Sequence, residues 1–149
     1  MPLAELNIAV VRAPMDSEIM RDFADGIEAV NKQAESSPGF IWRYIDGTGD
    51  HEDYAPTPWN DQTIVNMSLW QDTDSLKEFV FGDLHASFIK RRKEWFHGMT
   101  TAYFCLWELP EGELPTLSDA KRRLDHLQAQ GPSEVAFGWK DLERFYPGD

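Results

Sequence analysis

The feature that most constrains the fold is the order in which two hydrophobic periods alternate along the chain. Segments 4–13, 63–70 and 101–109 alternate with the two-residue period of a strand, and segment 40–45 is rich in aromatic and β-branched residues. Apolar residues recur at helical spacing after segment 4–13 and again after segment 63–70. The order strand, helix, strand, strand, helix, strand is the split βαβ pattern of the ferredoxin-like α+β fold.

Capping residues predict where the helices begin. Asp16 or Ser17 is expected to cap the first helix. Its apolar side would carry Ile19, Phe23, Ile27 and Val30. Asp72 or Thr73 is expected to cap a short second helix, and a longer helix is expected over 83–96. The apolar stripe of this longer helix would consist of Leu84, Phe88, Ile89, Trp95 and Phe96.

The length of 149 residues is typical of one domain. We expect residues 1–149 to form a single domain, with a core at about 4–110 and a C-terminal helical extension at about 115–149. Within the extension, Thr116 would cap a helix that ends at Gly131. The following segment 136–139 is expected to pack back on the core as an arm.

Charge and composition exclude several classes of partner. The formal net charge of −12 opposes a polyanion, so we expect no nucleic-acid partner. No apolar segment approaches the roughly 20 residues that cross a bilayer, so we expect no membrane insertion. A single cysteine excludes an intrachain disulfide framework. Together with the absence of a secretion signal at the start of the sequence, this predicts a cytoplasmic protein.

A ferredoxin-like sheet carries its helices on one face, so its other face needs a cover. Two such sheets that pack through their open faces close into a barrel whose interior is shielded from water. The pattern therefore predicts a homodimeric α/β barrel. The barrel interior could be filled by side chains or could leave room for one small ligand.

Several strings of the sequence resemble a known family. They are Ser68-Leu69-Trp70 with Asp74 and Leu76, Phe79-Val80-Phe81-Gly82 with His85, Arg91-Arg92-Lys93-Glu94-Trp95-Phe96, Leu106-Trp107, Pro110-Glu111-Gly112, Pro115-Thr116, Ala120, Arg123-Leu124, Gly131-Pro132-Ser133 and Ala136-Phe137. They resemble a small bacterial family that carries only a domain-of-unknown-function label. One position departs from it, because Glu113 follows the Pro-x-Gly turn where the family often has a histidine.

This resemblance implies membership of the dimeric α/β-barrel superfamily. That superfamily includes antibiotic-biosynthesis monooxygenases, haem-degrading monooxygenases, chlorite dismutase-like haem proteins and aldoxime dehydratases. The resemblance supports the fold more strongly than any one activity, since one fold hosts many chemistries.

His85 is the first candidate for a functional residue. It lies near the start of a predicted helix, on the same side as Ile89, Arg92 and Phe96. In haem-binding members of the superfamily a helical histidine of this kind is the axial ligand, and neutral imidazole suits iron. The alternative is a structural histidine that hydrogen-bonds a backbone carbonyl. Both interpretations remain open on the sequence.

Aromatic and polar side chains at alternate strand positions are expected to form the wall of a ligand cavity. These residues are Trp42, Tyr44, Asn66, Ser68, Trp70, Tyr103 and Trp107. Asn66 and Ser68 favour a cavity, because buried polar groups need partners such as water or a ligand. Arg92 could grip a ligand carboxylate or a haem propionate. The same aromatic residues would also suit a packed dimer core.

Other chemistries find little support in the sequence. His51, His85, His97 and His126 are scattered without metal-ligand spacing, so no non-haem metal site is expected. Cys105 lacks an activating neighbour and is expected to be a small buried residue. Ser elbows, phosphate loops and dinucleotide fingerprints are also missing.

The sequence therefore predicts a homodimeric barrel that binds a small apolar or aromatic molecule. The leading interpretation is a monooxygenase-like enzyme, either without a cofactor or with haem. In the first case His85, Asn66 or Ser68 would exchange protons with the substrate. In the second, His85 would ligate the haem iron. A dimer that binds a ligand or is purely structural, and does no chemistry, is the alternative.

Overall fold

The computed structural model describes residues 1–45 and 58–146. Its strands are β1 (Leu3–Val10), β2 (Phe40–Arg43), β3 (Thr63–Trp70) and β4 (Phe104–Glu108). Its helices are α1 (Arg21–Ser36), α2 (Thr73–Val80), α3 (Asp83–Lys90), α4 (Arg92–Trp95), α5 (Leu117–Gln130) and α6 (Leu142–Phe145), with a 3-10 turn at Trp139–Asp141 before α6. The predicted α+β, ferredoxin-like fold is confirmed.

The four strands form one antiparallel sheet in the order β2-β3-β1-β4. The register sets Leu3 opposite Trp70 and Asn7 opposite Asn66 on the two central strands. Because successive side chains of a strand point to opposite faces, odd-numbered residues of β1 share a face with even-numbered residues of β3. We call this the α1 face and the opposite one the α5 face.

Two apolar clusters cover the two ends of the α1 face. The Trp70 cluster contains Leu3, Ala34, Trp70, Leu76, Leu106, Phe137, Leu142 and Tyr146. The Trp95 cluster contains Ala9, Met20, Trp95 and Phe96, with Phe23, Ile64 and Phe88 packed against them. Helices α1 to α4 therefore lie on this face of the sheet, as the sequence pattern predicts.

Helix α5 covers the other face. Its residues Ala120 and Leu124 are buried with Ala4, Leu6, Ile8, Met67, Leu69, Cys105 and Trp107 of the sheet. Helix α5 therefore covers part of the face that was expected to be open, whereas cover by a partner chain stays a prediction. The helix begins where it was expected, because the hydroxyl oxygen of Thr116 accepts a hydrogen bond from the backbone N–H of Asp119.

The C-terminal arm closes the edge of the sheet at β4. Phe137 and Leu106 exchange two backbone hydrogen bonds, with N···O distances of 2.7 and 3.0 Å. Beyond this bridge the chain passes to the α1 face, where Leu142 and Tyr146 join the Trp70 cluster. The predicted arm is confirmed.

Helix α1 begins later than its caps predict. It starts at Arg21, and Met20 precedes it without a side-chain cap. Met20 is completely buried in the Trp95 cluster, whereas Ile19 is 57% exposed. Burial of Met20 therefore fixes the start of the helix, and the prediction that Asp16 or Ser17 caps it is wrong. In contrast, Asp72 caps α2 by accepting a hydrogen bond from the backbone N–H of Ser75.

The helix predicted over 83–96 is divided in two at Arg91, where α3 ends and α4 begins. Ile89 is 48% exposed, so the predicted stripe of this helix is wrong at that position. Three other residues of the predicted stripe do contact the core, namely Phe88, Trp95 and Phe96. Among the described residues, no helix has the length and apolar character needed to cross a membrane.

Candidate functional site

A band of polar side chains crosses the middle of the α1 face. It consists of Glu5, Asn7, Asn66 and Ser68, which lie opposite one another in two pairs on β1 and β3. We call these four residues the polar band. It separates the Trp70 cluster from the Trp95 cluster, so it interrupts what would otherwise be one continuous apolar face. The centre of a sheet covered by helices is an unusual place for four polar residues.

Glu5 is the most buried member of the polar band. Its side chain accepts a hydrogen bond from the hydroxyl of Ser68, with an O···O distance of 2.8 Å. The amide nitrogen of Asn7 donates to its other oxygen over 3.3 Å. Ser68 in turn accepts a hydrogen bond from the indole N–H of Trp70 over 2.9 Å. Trp70, Ser68 and Glu5 thus form a chain of hydrogen bonds that all point toward the carboxyl group.

Burial raises the pKa of Glu5 from 4.5 to about 7, because removal from water disfavours the charged form more than the two hydrogen bonds favour it. Glu5 is only 5% exposed. In the part of the chain that the structure describes, no arginine, lysine or histidine forms an ion pair with it. A carboxyl group in this state can either give or take a proton near neutral pH.

The polar band opens from a buried end to an exposed end. Glu5 and Ser68 are buried, Asn7 is half-buried and Asn66 is exposed. Phe104 of β4, which lies opposite Asn7, is also half-buried. The polar band therefore reaches the protein surface at Asn66.

Helices α1 and α3 contain few buried residues. Ala34 is the only fully buried residue of α1, and α3 has none. The two helices approach each other closely at Gly26, where a Cβ atom would overlap the ring of Phe88. The apolar residues Phe23, Ile27 and Val30 of α1 and Leu84 and Phe88 of α3 are half-buried.

The ring of Phe79 lies between His85 and Trp70. Its imidazole centroid is 5.0 Å from that of Phe79, which stacks on Trp70 at 5.4 Å. The Nδ1 atom of His85 lies 3.0 Å from the backbone carbonyl oxygen of Val80. Burial lowers the pKa of His85, so the ring is neutral near pH 7. A neutral ring that donates from Nδ1 to this carbonyl keeps its Nε2 lone pair available.

The hydrogen bond between His85 and a backbone carbonyl is the one expected of a structural histidine. Metal-ligating histidines also commonly donate their second ring nitrogen to a carbonyl. Haem ligation by His85 therefore stays a prediction.

The sheet divides the seven residues that were expected to line one cavity. Asn66, Ser68 and Trp70 lie on the α1 face, whereas Trp42, Tyr44, Tyr103 and Trp107 pack in the core of the α5 face. The prediction of one shared wall is therefore wrong. Trp107 is fully buried beneath the guanidinium group of Arg123, whose Cζ lies 5.5 Å from the ring centroid.

The two neighbouring arginines also lie away from the polar band. Arg92 lies with its Cζ 4.3 Å from the ring centroid of Tyr103, which belongs to the α5 face. Arg91 is held by carboxylates of its own chain, Asp22 and Glu94, at N···O distances of 2.8 and 2.9 Å. The Cζ of Arg92 also lies 5.8 Å from the ring centroid of Phe96 in the Trp95 cluster, and a role for Arg92 in binding a ligand stays a prediction.

Glu5 and Asn7 were not among the candidates from the sequence. The available signal was the carboxylate of Glu5 in the middle of an otherwise apolar strand, with Asn7 two residues further on the same face. A charged residue at an inward strand position is rare unless it has a partner or a function. Its partner Ser68 is 63 residues away in sequence.

Other candidate residues find no chemical role in the structure. Burial raises the pKa of Cys105 to about 12, which makes its thiol inert as predicted. His51, Glu52 and Asp53 lie outside the described residues. Within residues 1–45 and 58–146, no three His, Cys, Asp or Glu side chains are grouped to hold a metal ion.

Comparisons with known proteins identify the family of this chain and structures that share its fold. A family model with the description "Domain of unknown function (DUF3291)" matches residues 2–146. Among curated proteins, no sequence matches the chain significantly.

Three solved structures share the fold at low sequence identity. SnoaB, a cofactor-independent oxygenase from Streptomyces nogalater, is 13% identical, with a TM-score of 0.51 over 77% of this chain and 98% of its own. Rv0793 from Mycobacterium tuberculosis is 10% identical, with a TM-score of 0.55 over 76% and 100%. A conserved protein from Methanosarcina mazei Go1 is 13% identical, with a TM-score of 0.53 over 74% and 94%.

Proposed function

This chain belongs to the DUF3291 family, and from that premise we propose that it is an oxygenase-like enzyme which oxidises a small aromatic molecule at the polar band without a metal or organic cofactor. The observation that carries the proposal is the buried carboxyl group of Glu5, which lies in the polar band between two apolar clusters, and the band ends at the exposed Asn66. The oxygenase SnoaB, which has the same fold, supports the reaction class.

An oxygenase without a cofactor takes its electrons from the substrate. An activated aromatic CH2 group can supply four electrons to O2, so that CH2 and O2 give a carbonyl group and water. Such a substrate becomes reactive once it loses a proton, which requires a base at the site. Glu5 is a suitable acid or base, and the amides of Asn7 and Asn66 can hydrogen-bond the substrate oxygen atoms.

The cost of burying Glu5 favours a function over a purely structural role. A carboxyl group without a cationic partner lowers the stability of the fold whenever it is ionised. An apolar residue of similar size would pack between the two clusters without that cost. Residues that reduce stability in this way are typical of functional sites.

Oxygen consumption by the purified protein tests this proposal. We would record O2 uptake with a panel of hydroxylated fused-ring aromatic compounds, with no metal or cofactor added and a chelator present. Uptake should be saturable, and Asn66→Ala should reduce kcat/KM. Gln130→Ala removes an exposed amide from the end of α5 and serves as the matched control.

Saturable binding of the panel without any O2 uptake would contradict the enzyme and support a non-enzymatic binding protein. If no compound of the panel bound, the proposal that the ligand is aromatic would be contradicted as well.

We also propose that the protein acts as a homodimer. The support is the half-buried state of Trp42, Tyr44 and Val65 on the β2 side of the α5 face, together with the edge position of β2, on which Ile41 is 40% exposed. Helix α5 leaves this part of the face incompletely covered. Sedimentation velocity of the purified protein tests the dimer, and a monomer at micromolar concentration would contradict it.

A further inference from the structure

We propose that a cavity at the β4 edge of the sheet binds a small neutral molecule with an acylated N–H group and a carbonyl group on one carbon atom, as in a blocked aromatic amino acid. None of the described residues that line this cavity belongs to the polar band, and the inference does not depend on the proposed function. Three observations carry it: the open peptide groups of Phe104, the occupied positions on both sides of them, and the apolar cavity that Phe104 lines.

The peptide groups of Phe104 point away from β1. Just before β4, the carbonyl oxygen of Tyr103 accepts a hydrogen bond from the backbone N–H of Ile8 over 2.9 Å. Both peptide groups of Leu106 instead bond to Phe137 of the arm. Because the peptide groups of successive strand residues point to opposite sides, those of Phe104 share the outer side with those of Leu106. In the described part of the chain, no group hydrogen-bonds to the N–H or C=O of Phe104.

The open position is one residue wide. On one side of it, the arm already pairs with Leu106. On the other side, Gln128 of α5 donates its side-chain amide to the carbonyl oxygen of Ala102 over 2.6 Å. The arm then turns away at Trp139–Asp141, so it leaves the position opposite Phe104 open. An added strand of several residues therefore meets occupied positions, whereas a molecule the size of one amino acid does not.

Phe104 lines a cavity of about 590 Å³ between β4, the end of α5 and the arm. Volumes of roughly 300–1,000 Å³ are typical of small-molecule sites. The apolar side chains of the lining are Phe104, Leu127, Pro132 and Trp139. The ring of Trp139 stacks on that of Phe104, with the centroids 5.3 Å apart. The cavity therefore offers a wall for an apolar group beside the open peptide groups.

The charged residues of the cavity favour a neutral ligand. They are Lys140 and Asp141, one of each sign and adjacent in sequence. Their formal charges cancel, so the cavity has no net charge that would hold an ion of either sign. Recognition therefore rests on hydrogen bonds and apolar contact.

The class of ligand follows from these groups. A residue opposite Phe104 in an antiparallel pair would donate its N–H to the Phe104 carbonyl oxygen and accept the Phe104 N–H with its own C=O. A small molecule with both groups on one carbon atom reproduces this pair. A substituent on that carbon points to the same side of the sheet as the Phe104 ring, where Trp139 lies. An aromatic substituent suits this side because rings pack well against one another.

An NMR titration of the 15N-labelled protein with N-acetyl-L-phenylalanine amide tests the inference. The backbone amide resonance of Phe104 should shift saturably, because its N–H gains an acceptor. The analogue that carries a methyl group on the acetylated nitrogen has lost the N–H donor and should bind at least about tenfold more weakly. Absence of a saturable shift, or equal affinity for the two compounds, would overturn the pairing with Phe104.

Gly138→Leu fills the cavity without straining the backbone. Gly138 lines the cavity at a φ of −105°, and a Cβ atom there would meet no atom within 4 Å. The variant should be as stable as the wild type in urea but should bind the amide at least about tenfold more weakly. Gly98→Leu is the matched control, since Gly98 is equally open but lies outside the cavity lining, and it should bind like the wild type. Unchanged binding by Gly138→Leu would place the ligand elsewhere and contradict the site.

The size of the probe separates a small molecule from a peptide. A blocked pentapeptide with phenylalanine at its centre and alanine elsewhere contains the same unit, but its outer residues meet the arm and Gln128. It should bind no more tightly than N-acetyl-L-phenylalanine amide, and a gain of about tenfold or more would overturn the one-residue ligand in favour of a peptide. Neither titration involves O2, so O2 uptake at the polar band can succeed or fail independently of these results.

Discussion

Ser68 of β3 donates its hydroxyl hydrogen to Glu5 of β1 over 2.8 Å, in the middle of the sheet face that the helices cover. The two residues lie directly opposite each other in the strand register. The two residues belong to strands that are far apart in sequence, since Glu5 and Ser68 are separated by 63 positions, so the pair exists only in the folded sheet. It therefore connects the stability of the fold with the chemistry of the site.

Glu5→Gln should change how stability depends on pH. Glu5 binds a proton more tightly in the folded chain, where its pKa is about 7, than in the unfolded chain, where it is near 4.5. Its contribution is therefore fully favourable below pH 4.5 and is lost as the pH rises to about 7. The loss corresponds to about 3 kcal/mol, at about 1.4 kcal/mol per pKa unit.

Urea unfolding of the wild type and of Glu5→Gln across this pH range provides the measurement. The difference between their free energies of unfolding should change by about 3 kcal/mol in favour of the glutamine variant at the higher pH. Glu108→Gln is the control and should show no such trend. A constant difference between wild type and Glu5→Gln would show that the pKa of Glu5 is not raised.

Gly26→Ala should destabilise the contact between α1 and α3. A Cβ atom at this position would overlap the ring of Phe88, so the ring must move. We expect a net decrease of about 1 kcal/mol in the free energy of unfolding, because the overlap costs about 2 kcal/mol and alanine favours the helix by about 1.

Thermal or urea unfolding measures this effect against Gly98→Ala, where a Cβ atom would meet no atom within 4 Å. Equal stability of Gly26→Ala and the wild type would mean that the two helices are farther apart than the structure shows.

Cys105 should resist alkylation in the native protein. It is the only cysteine of the chain, it is fully buried, and its pKa is raised to about 12 by burial. The thiolate that reacts with iodoacetamide is therefore both rare and inaccessible. Mass spectrometry after treatment should show an unmodified native protein and one adduct after denaturation in urea. Rapid modification of the native chain would contradict the burial of this strand.

Haem should not bind through His85 if the site works without a cofactor. We expect a visible absorption titration to give the same spectrum for the wild type and for His85→Ala. Loss of the His85 side chain should still reduce stability by about 1 kcal/mol, because the hydrogen bond to Val80 disappears. A saturable spectral change that His85→Ala abolishes would instead identify His85 as an axial ligand.

The sequence predicted the parts of the fold that depend on local patterns. β3 spans Thr63–Trp70 as expected, since its alternation is strict over eight residues. The caps Asp72 and Thr116 were also correct, because a capping side chain bonds its own helix. The start of α1 was wrong, because the burial of Met20 against distant residues decided it.

The candidate site was predicted only in part, for a physical reason. Asn66, Ser68 and Trp70 share a face because they belong to one strand. Whether Tyr103 joins them depends on the register between strands, which no single segment contains. Glu5 was missed because its burial and its hydrogen bond depend on distant parts of the chain, namely the helices that cover the sheet and Ser68.

The Trp70 cluster also sets the order in which the chain can finish folding. It packs Leu3 of the first strand against Leu142 and Tyr146, which are more than a hundred residues later. During synthesis, Leu3 and Trp70 therefore lack part of their cover until α6 has left the ribosome. Contacts this distant slow folding, because a long loop must close before they form. The last helix of the described chain thus completes the cover of the first strand.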